Sequence, residues 1–340
     1  MGAKLDEMIK KINKEAKDEI MSKGLLIYDY ERIPFTSPRM NYCTHGGLPV
    51  GRLIEFYGEE HGGKTTTALD IVANYQHLHE DREVMWIDAE NTLDAEWAKT
   101  LGVDVERLYI IQPKGQSAED IFQMIEDAIK TGEVGLWVLD SIGALASSKE
   151  WEKDYNESTV AGISGPLTRF SKKIEPIMYK HQCTGIGINQ QRDKIGSPYG
   201  GKKTPGGDAW KHFCSVRMEF RKGDYIDADG KTLPRSSEDP VGQIVLMTMK
   251  KNKTCPPDRR TGFFTLNYQI GIDYLRDLLD VGEKYGIVEK SGAWYKLIDI
   301  ETGEILREKI QGQAKLHSLL NEDTELLQAV ETLVDNALNS

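Results

Sequence analysis

Arg52-Leu-Ile-Glu-Phe-Tyr-Gly-Glu-Glu-His-Gly-Gly-Lys-Thr-Thr-Thr67 decides the reading of this chain. Its first part, Leu53 to Tyr57, is a largely apolar run of strand length. It leads directly into Gly58-x-x-x-x-Gly63-Lys64-Thr65 and then into the helical pattern of Ala68, Leu69, Ile71 and Val72. Strand, glycine loop and helix in that order are the context in which a phosphate-binding loop forms. The glycines permit a tight turn whose backbone N–H groups face phosphate oxygens. The helix adds its own unsatisfied N–H groups and the positive end of its dipole. Lys64 then reaches the β- and γ-phosphates, and the Thr65 hydroxyl holds Mg²⁺. A glycine-rich turn with an exposed lysine would need neither the strand before nor the helix after. The stretch reads as a nucleoside triphosphate site.

Outward from it, between Gly51 and about Tyr268, strand-length apolar runs alternate with helical patterns, which predicts a largely parallel sheet. Glu83–Asp88 reads as a strand followed by acidic Glu90. Asp94–Leu101 reads as a short helix, and Ala118–Lys130 as a longer one with Ile121, Phe122, Ile125 and Ile129 on one face. Gly135–Asp140 and Gly185–Gln190 read as buried strands ending in polar groups, with Leu167–Tyr179 helical between them. Ser215–Phe220 and Gln243–Met249 read as antiparallel partners. Ligands of an open α/β sheet bind outside the carboxyl ends of its strands, and four such ends carry Gly58, Glu90, Asp140 and Gln190. Asp140, closing a hydrophobic strand, is the carboxylate expected beside the metal. Glu90 is either a general base that polarises water for attack on the γ-phosphate or a solvated loop carboxylate. Gln190 either bonds the γ-phosphate or satisfies backbone at the strand end.

Two stretches look unlike scaffold. Trp151–Ile163 is polar and irregular, directly after the Asp140 strand. Gln190–Gly207 is long and rich in glycine and carries Arg192, Lys194, Lys202 and Lys203 against a single acid, Asp193. A loop of that length inside a compact domain is functional or disordered. Its cations suit a phosphate backbone and Tyr199 suits a base, while a solvated loop is the alternative. Lys250-Lys251-Asn252-Lys253 is a second basic run, of a kind that commonly forms a solvated face.

The ends differ in character. Leu5, Met8, Ile9, Ile12, Ala16 and Ile20 recur at helical spacing, predicting an amphipathic helix that ends near Gly24. From the pattern alone its apolar stripe docks on the same chain. Leu25–Tyr28 reads as a short strand, and Pro34 and Pro38 as an irregular link. Beyond about Tyr268, Leu275–Tyr285 reads as a helix, Gly286–Tyr295 as turns with a small strand, and Ala314–Leu338 as two helical patterns. The expected division is 1–33 as a terminal helix and strand, 34–270 as an α/β core, and 271–340 as a small α+β domain.

Composition bounds the function. The chain has 340 residues, 39% hydrophobic and 29% charged, in the ordinary globular range. No run of about eighteen apolar residues marks a membrane span, and the N-terminus does not read as a signal peptide. Cys43, Cys183, Cys214 and Cys255 form no C-x-x-C pair, which fits thiols in a reducing cytoplasm. The net charge of −11 excludes a uniformly basic nucleic-acid coat but not a local patch.

Taken together, these residues resemble the bacterial RecA family of DNA strand-exchange recombinases. The resemblance rests on Gly47–Arg52, Gly58–Thr66, Ile87–Glu90, Leu93–Asp94, Leu139–Ser141, Ile188–Gln190, Gly206–Gly207, Lys251–Lys253 and Gly292–Tyr295, in that order. It implies a RecA-type P-loop ATPase core with a mainly parallel twisted sheet, an N-terminal oligomerisation segment and a small α+β C-terminal domain. It implies ATP bound by Gly58, Glu59, Glu60, His61, Gly62, Gly63, Lys64, Thr65 and Thr66, with Mg²⁺ at Thr65 and Asp140. It also implies water activation by Glu90, γ-phosphate sensing by Gln190, and adenine contacts at Asp94 and Trp97. Trp151–Ile163 and Gln190–Gly207 correspond to two DNA loops. Val160 and Ile195 lie where apolar side chains separate stacked bases, and Tyr199 links the second loop to hydrolysis. Arg192, Lys194, Lys202, Lys203, Gly206 and Gly207 join them on the DNA side. The N-terminal segment would dock on an adjacent protomer, against the expectation from pattern alone, and Lys251 and Lys253 would reach a neighbour's ATP. The implied activity is homologous recombination and DNA repair in the cytoplasm: a homo-oligomeric helical filament on single-stranded DNA that pairs with double-stranded DNA and hydrolyses ATP.

Departures suggest a divergent or phage-encoded member. Val160 replaces a larger Met, Gly165 stands where the family has Arg, and His212 replaces an interface aromatic. The second loop is one residue shorter, and the sequence stops without an extended acidic tail. A hexameric helicase or circadian-type ATPase shares the core, but the leading helix and single P-loop argue against it. A nucleotide-switched adaptor is opposed by Glu90, and an ABC-type subunit by the lack of an LSGGQ-like signature.

Overall fold

Strands that are apolar on both sides must be covered on both sides, and here they form the parallel part of one large sheet. The computed structural model describes residues 3–17, 21–23, 30–154, 162–193, 202–228, 231–234 and 236–339. The sheet is built from β1 (Leu53–Gly58), β2 (Glu83–Asp88), β3 (Leu108–Ile111), β4 (Val134–Asp140), β5 (Thr184–Gln190), β6 (Val216–Ile226), β7 (Gly242–Asn252), β8 (Thr261–Asn267) and β9 (Gly271–Ile272). Across the sheet the order is β9-β8-β7-β6-β1-β5-β4-β2-β3, and Thr232–Leu233 pairs with β6. From β6 to β3 every neighbour is parallel. From β6 to β9 every neighbour is antiparallel.

That order corrects one expectation. Val216–Ile226 is antiparallel to Gly242–Asn252, as read, but it also extends the parallel half by pairing with Leu53–Gly58. The register brings the functional ends together: Gly58 stands level with Gln190, and Asp88 with Asp140.

Alternate side chains of the buried strands feed two cores. Ile54, Phe56, Leu136 and Val138 pack with Ile71 and Val72 of the helix Lys64–Leu78 on one face. Leu53, Trp137 and Leu139 pack on the other against Ile121, Ile125 and Ile129 of Ala118–Lys130 and against Leu167 and Ile174 of Ser164–His181. Phe122 and Phe170 stack there with ring centroids 4.4 Å apart. The helix Ala118–Lys130 starts where it does because Ser117 and Asp120 form a capping box.

The remaining elements refine the reading. Pro38 is not in an irregular link: it opens a helix, Pro38–Thr44, at the position where proline's missing N–H is harmless. The C-terminal region has its own core, including Leu278, Ile287, Leu297, Leu316 and Val330. Its hairpin Val288–Ser291 and Trp294–Ile298 gains a third strand, Ile305–Gln311, which the sequence reading missed. Residues Met1–Glu31 form a compact unit apart from Arg32–Ser340. The described helix there is Ala3–Ala16, and the expected strand at 25–28 lies outside the described residues.

Candidate nucleotide site and loop base

The P-loop fits against β6 and β7 so closely that two of its glycines admit no side chain. A Cβ on Gly58 would stand 1.9 Å from the Phe220 carbonyl oxygen, and one on Gly63 would stand 2.8 Å from a Val245 methyl. Gly63, at φ +87°, caps the helix Lys64–Leu78 and turns its free N–H groups into the loop. Lys64 donates to the Glu59 carbonyl at 2.6 Å, and Thr65 Oγ1 donates to Asp140 Oδ2 at 2.7 Å. Burial lowers the Lys64 pKa against the pull of Asp140 and Glu90. Burial likewise pushes the Asp140 carboxyl up to about 6, with Glu90 and Asp88 adding and the Thr65 hydroxyl opposing.

This donor set fits a magnesium nucleotide. It offers a hydroxyl, a buried carboxylate, and a backbone cradle that a single Cβ would fill. Among the described residues, no three His, Cys, Asp or Glu side chains are grouped to hold a metal alone. Mg²⁺ is commonly bound by one or two carboxylates together with substrate phosphates.

Glu90 is not a free loop carboxylate. Ser141 Oγ donates to its Oε1, and Gln190 Nε2 approaches the same oxygen at 3.3 Å. The loop carrying it is shaped by Asp88, which accepts the Thr92 and Leu93 amides at 3.0 and 3.2 Å, and by an Ala89 amide bonded to the Asp140 carbonyl. Glu60, Lys64, Thr65, Glu90, Asp140 and Gln190 line one cavity of about 340 Å³.

A second cavity of about 530 Å³ shares His61, Lys64 and Thr65 with the first and extends to Trp97 and Tyr268. Trp97 Nε1 reaches Thr66 Oγ1 at 3.4 Å, so its indole is held beside the P-loop. Asp94 caps the short helix that carries Trp97, accepting from the Glu96 and Trp97 amides. Lys222, Tyr225, Gln243 and Tyr268 also line the second cavity. Sequence reasoning missed all four, because no local spacing relates them to a loop more than a hundred residues away. Ser141 is the one omission with a visible signal, since it directly follows Asp140.

Lys251 and Lys253 are not brought to this chain's own P-loop. β7 places Lys251 level with Arg217, which is level with Glu55, on the amino side of Gly58. Lys251 Nζ donates to the carbonyls of Lys211 and His212 at 2.6 and 2.9 Å, and Lys253 Nζ to that of His212 at 3.2 Å. Both ammonium groups thus cap the end of the helix Gly207–Phe213.

Of the second loop, Lys194, Ile195 and Tyr199 lie outside the described residues, as does Val160 of the first. The second loop's base closes as a short antiparallel ladder, Arg192–Asp193 with Lys202–Lys203. Gly206 and Gly207, at φ +96° and +78°, turn the chain into the following helix. The base is tied to the P-loop strand through buried Glu55, which accepts from Asn189 Nδ2 at 3.0 Å and from Arg217 Nε at 2.5 Å. Asn189 Nδ2 also donates to the Pro205 carbonyl at 3.0 Å, and the Gln191 amide to that of Gly58 at 3.1 Å.

Comparison with known proteins agrees with this geometry. The profile for the RecA N-terminal domain matches residues 3–273, and that for the RecA C-terminal domain residues 276–339. Protein RecA of Clostridium acetobutylicum is 34% identical over 290 residues, covering 85% of this chain and 77% of the relative. Protein RecA of Sulfurovum is 36% identical over 296 residues, covering 86% and 79%. Protein RecA of Bacteroides thetaiotaomicron is 32% identical over 339 residues, covering 98% and 97%.

Proposed function

This chain belongs to the RecA family, and from that we propose that it is a cytoplasmic, DNA-dependent ATPase that forms a filament on single-stranded DNA and carries out homologous pairing and strand exchange in recombination and repair. The observation that carries the reading is the continuous path from P-loop to loop base: Thr65 to Asp140, then Ser141 to Glu90 to Gln190, whose next residues begin the second loop.

In this mechanism the P-loop amides and Lys64 bind the ATP phosphates, and Trp97 flanks the base. Mg²⁺ held through Thr65 and Asp140 would supply neutralisation of charge on the β- and γ-oxygens. Glu90 orients a water and takes its proton, with Ser141 fixing the carboxylate's position. Gln190 bonds the γ-phosphate when it is present and returns to Glu90 when it is not. That exchange shifts the start of the DNA loop, so DNA affinity follows the nucleotide state. Lys251 and Lys253 act on the neighbour's nucleotide, as an arginine finger does in trans. The filament reading is supported by β3, a sheet edge with Tyr109 and Ile110 exposed, a surface that another copy's apolar N-terminal stripe could cover. We assign 1–33 to polymerisation, 34–270 to the ATPase core with its DNA loops, and 271–340 to the C-terminal domain. Among the described residues, no helix is long and apolar enough to cross a membrane.

Phosphate release measured with and without single-stranded DNA tests the reading, alongside electron microscopy with a non-hydrolysable ATP analogue. Stimulated hydrolysis and filaments are expected, and both should vanish in Lys64→Ala. Nucleotide binding with no response to DNA would favour a switched adaptor.

A further inference from the structure

Lys222 and Tyr225 are three positions apart on β6, so a regular strand would send their side chains to opposite faces. The ladder to β7 slips between them. Lys222 stands level with Val245 and Tyr225 with Gln243, so one extra residue is accommodated on β6. A bulge of this kind re-aims side chains, and here it brings both onto the face shared by Val245 and Gln243. Gly223 allows it, since a Cβ there would stand 2.7 Å from the Ile244 carbonyl oxygen.

That face looks onto the P-loop. Val245 bounds Gly63, and Gln243 Nε2 donates to the His61 carbonyl at 3.0 Å. Lys222 and Tyr225 accordingly line the larger cavity together with the P-loop residues. The Lys222 ammonium donates to the Tyr225 hydroxyl and lies 4.0 Å from its ring centroid. Among the described residues it has no carboxylate partner. A cation held by a neutral phenol keeps its charge available for an anion, unlike Arg217 or Lys250, each paired to a glutamate.

We infer that Lys222, positioned by Tyr225, is a second phosphate-binding cation of this site and takes the phosphates of a nucleoside di- or triphosphate from β6, while Lys64 takes them from the helix. The inference rests on the nucleotide reading of the cavity and adds to it a residue contributed from outside the P-loop. The bulge is then a functional device rather than an irregularity of a long strand.

Calorimetric titration with ADP tests it in the whole protein, using wild type, Lys222→Met, Lys222→Arg and Tyr225→Phe at two salt concentrations. Loss of one charge-assisted contact should weaken ADP binding on the order of 10-fold in Lys222→Met. It should also flatten the salt dependence, and Lys222→Arg should recover most of both. Tyr225→Phe keeps the cation and should retain the salt dependence with a smaller loss. ADP binding by Lys222→Met equal to wild type in affinity and salt dependence would overturn the inference. So would equal losses in Lys222→Met and Tyr225→Phe with unchanged salt dependence, which would make the pair a structural clasp. Wild type that binds no ADP would overturn the nucleotide reading itself, an outcome visible before any variant is compared.

Discussion

Gln190 Nε2 lies 3.3 Å from Glu90 Oε1, so the last side chain of β5 touches the carboxylate proposed above to activate water. The same Glu90 oxygen accepts from Ser141, the residue directly after β4. Three strand ends therefore meet at one atom, and one of them continues into the loop proposed to hold DNA.

Glu90→Gln follows most directly. A glutamine can accept from Ser141 and Gln190 through its own amide oxygen, so the cavity should keep its shape. ATP and DNA should still bind, while turnover falls by roughly 10²-fold or more, the range for removal of a general base. Phosphate release beside nucleotide titration measures this, and wild-type turnover would leave Glu90 only a hydrogen-bond acceptor for Ser141 and Gln190.

The second loop should carry the salt-sensitive part of DNA binding. Arg192→Ala with Lys194→Ala should weaken single-stranded DNA binding and lower the slope of log affinity against log salt by up to about one unit per lost phosphate contact. Tyr199→Ala should leave basal hydrolysis in place and abolish its stimulation by DNA. Fluorescence anisotropy over a salt series, with parallel ATPase assays, would place the DNA elsewhere if neither variant differed from wild type.

Lys251 and Lys253 bond the Lys211 and His212 carbonyls rather than their own P-loop, so their role is testable by mixing. Glu90→Gln and the double variant Lys251→Ala, Lys253→Ala should each be nearly inactive. In mixed filaments some interfaces set an intact carboxylate against an intact lysine pair, and DNA-dependent hydrolysis should partly return. Mixed filaments that form yet stay inactive would exclude action in trans.

A stability prediction comes from Asp277, fully buried where the helix Tyr274–Tyr285 meets β8. Burial pushes its carboxyl up to about 7 from 3.8, against the lowering pull of Ser37 and the Thr265 amide. The folded state therefore binds a proton that the unfolded state has released. Its contribution is fully present below about pH 4 and is lost as pH rises through about 7. Asp277→Asn stays neutral throughout, so its Tm should gain on wild type between pH 5 and 8 by on the order of 2 °C or more. A Tm difference that does not change with pH would show that the carboxyl is ionised in the folded protein across that window.

How much of this was legible in the sequence depended on distance along the chain. The P-loop, β2, β4, β5 and the helix Ala118–Lys130 announce themselves through local period and caps. Glu90, Asp140 and Gln190 could be nominated because strand ends are where ligands bind. The contacts that shape the cavity around the P-loop are register effects: Gly58 against Phe220, Gln243 against His61, and the slip that turns Lys222. β6 was read only as an antiparallel partner because a half-buried strand has the same alternation whichever way its neighbours run. Pro38 misled because proline both breaks helices and begins them.

The carbonyl bonds of Lys251 and Lys253 have one more consequence. Those ammonium groups now hold the C-terminal end of the helix Gly207–Phe213, whose other end receives the second loop. If assembly draws them to a neighbour's phosphates, that helix gives up two counter-charges to the next subunit. In the proposed head-to-tail array the exchange happens at every junction and fails once at each extremity. One terminal subunit keeps its lysines at home, while the opposite one carries a nucleotide that no neighbour completes. Such a polymer would have two chemically distinct ends, and growth and loss need not favour the same one.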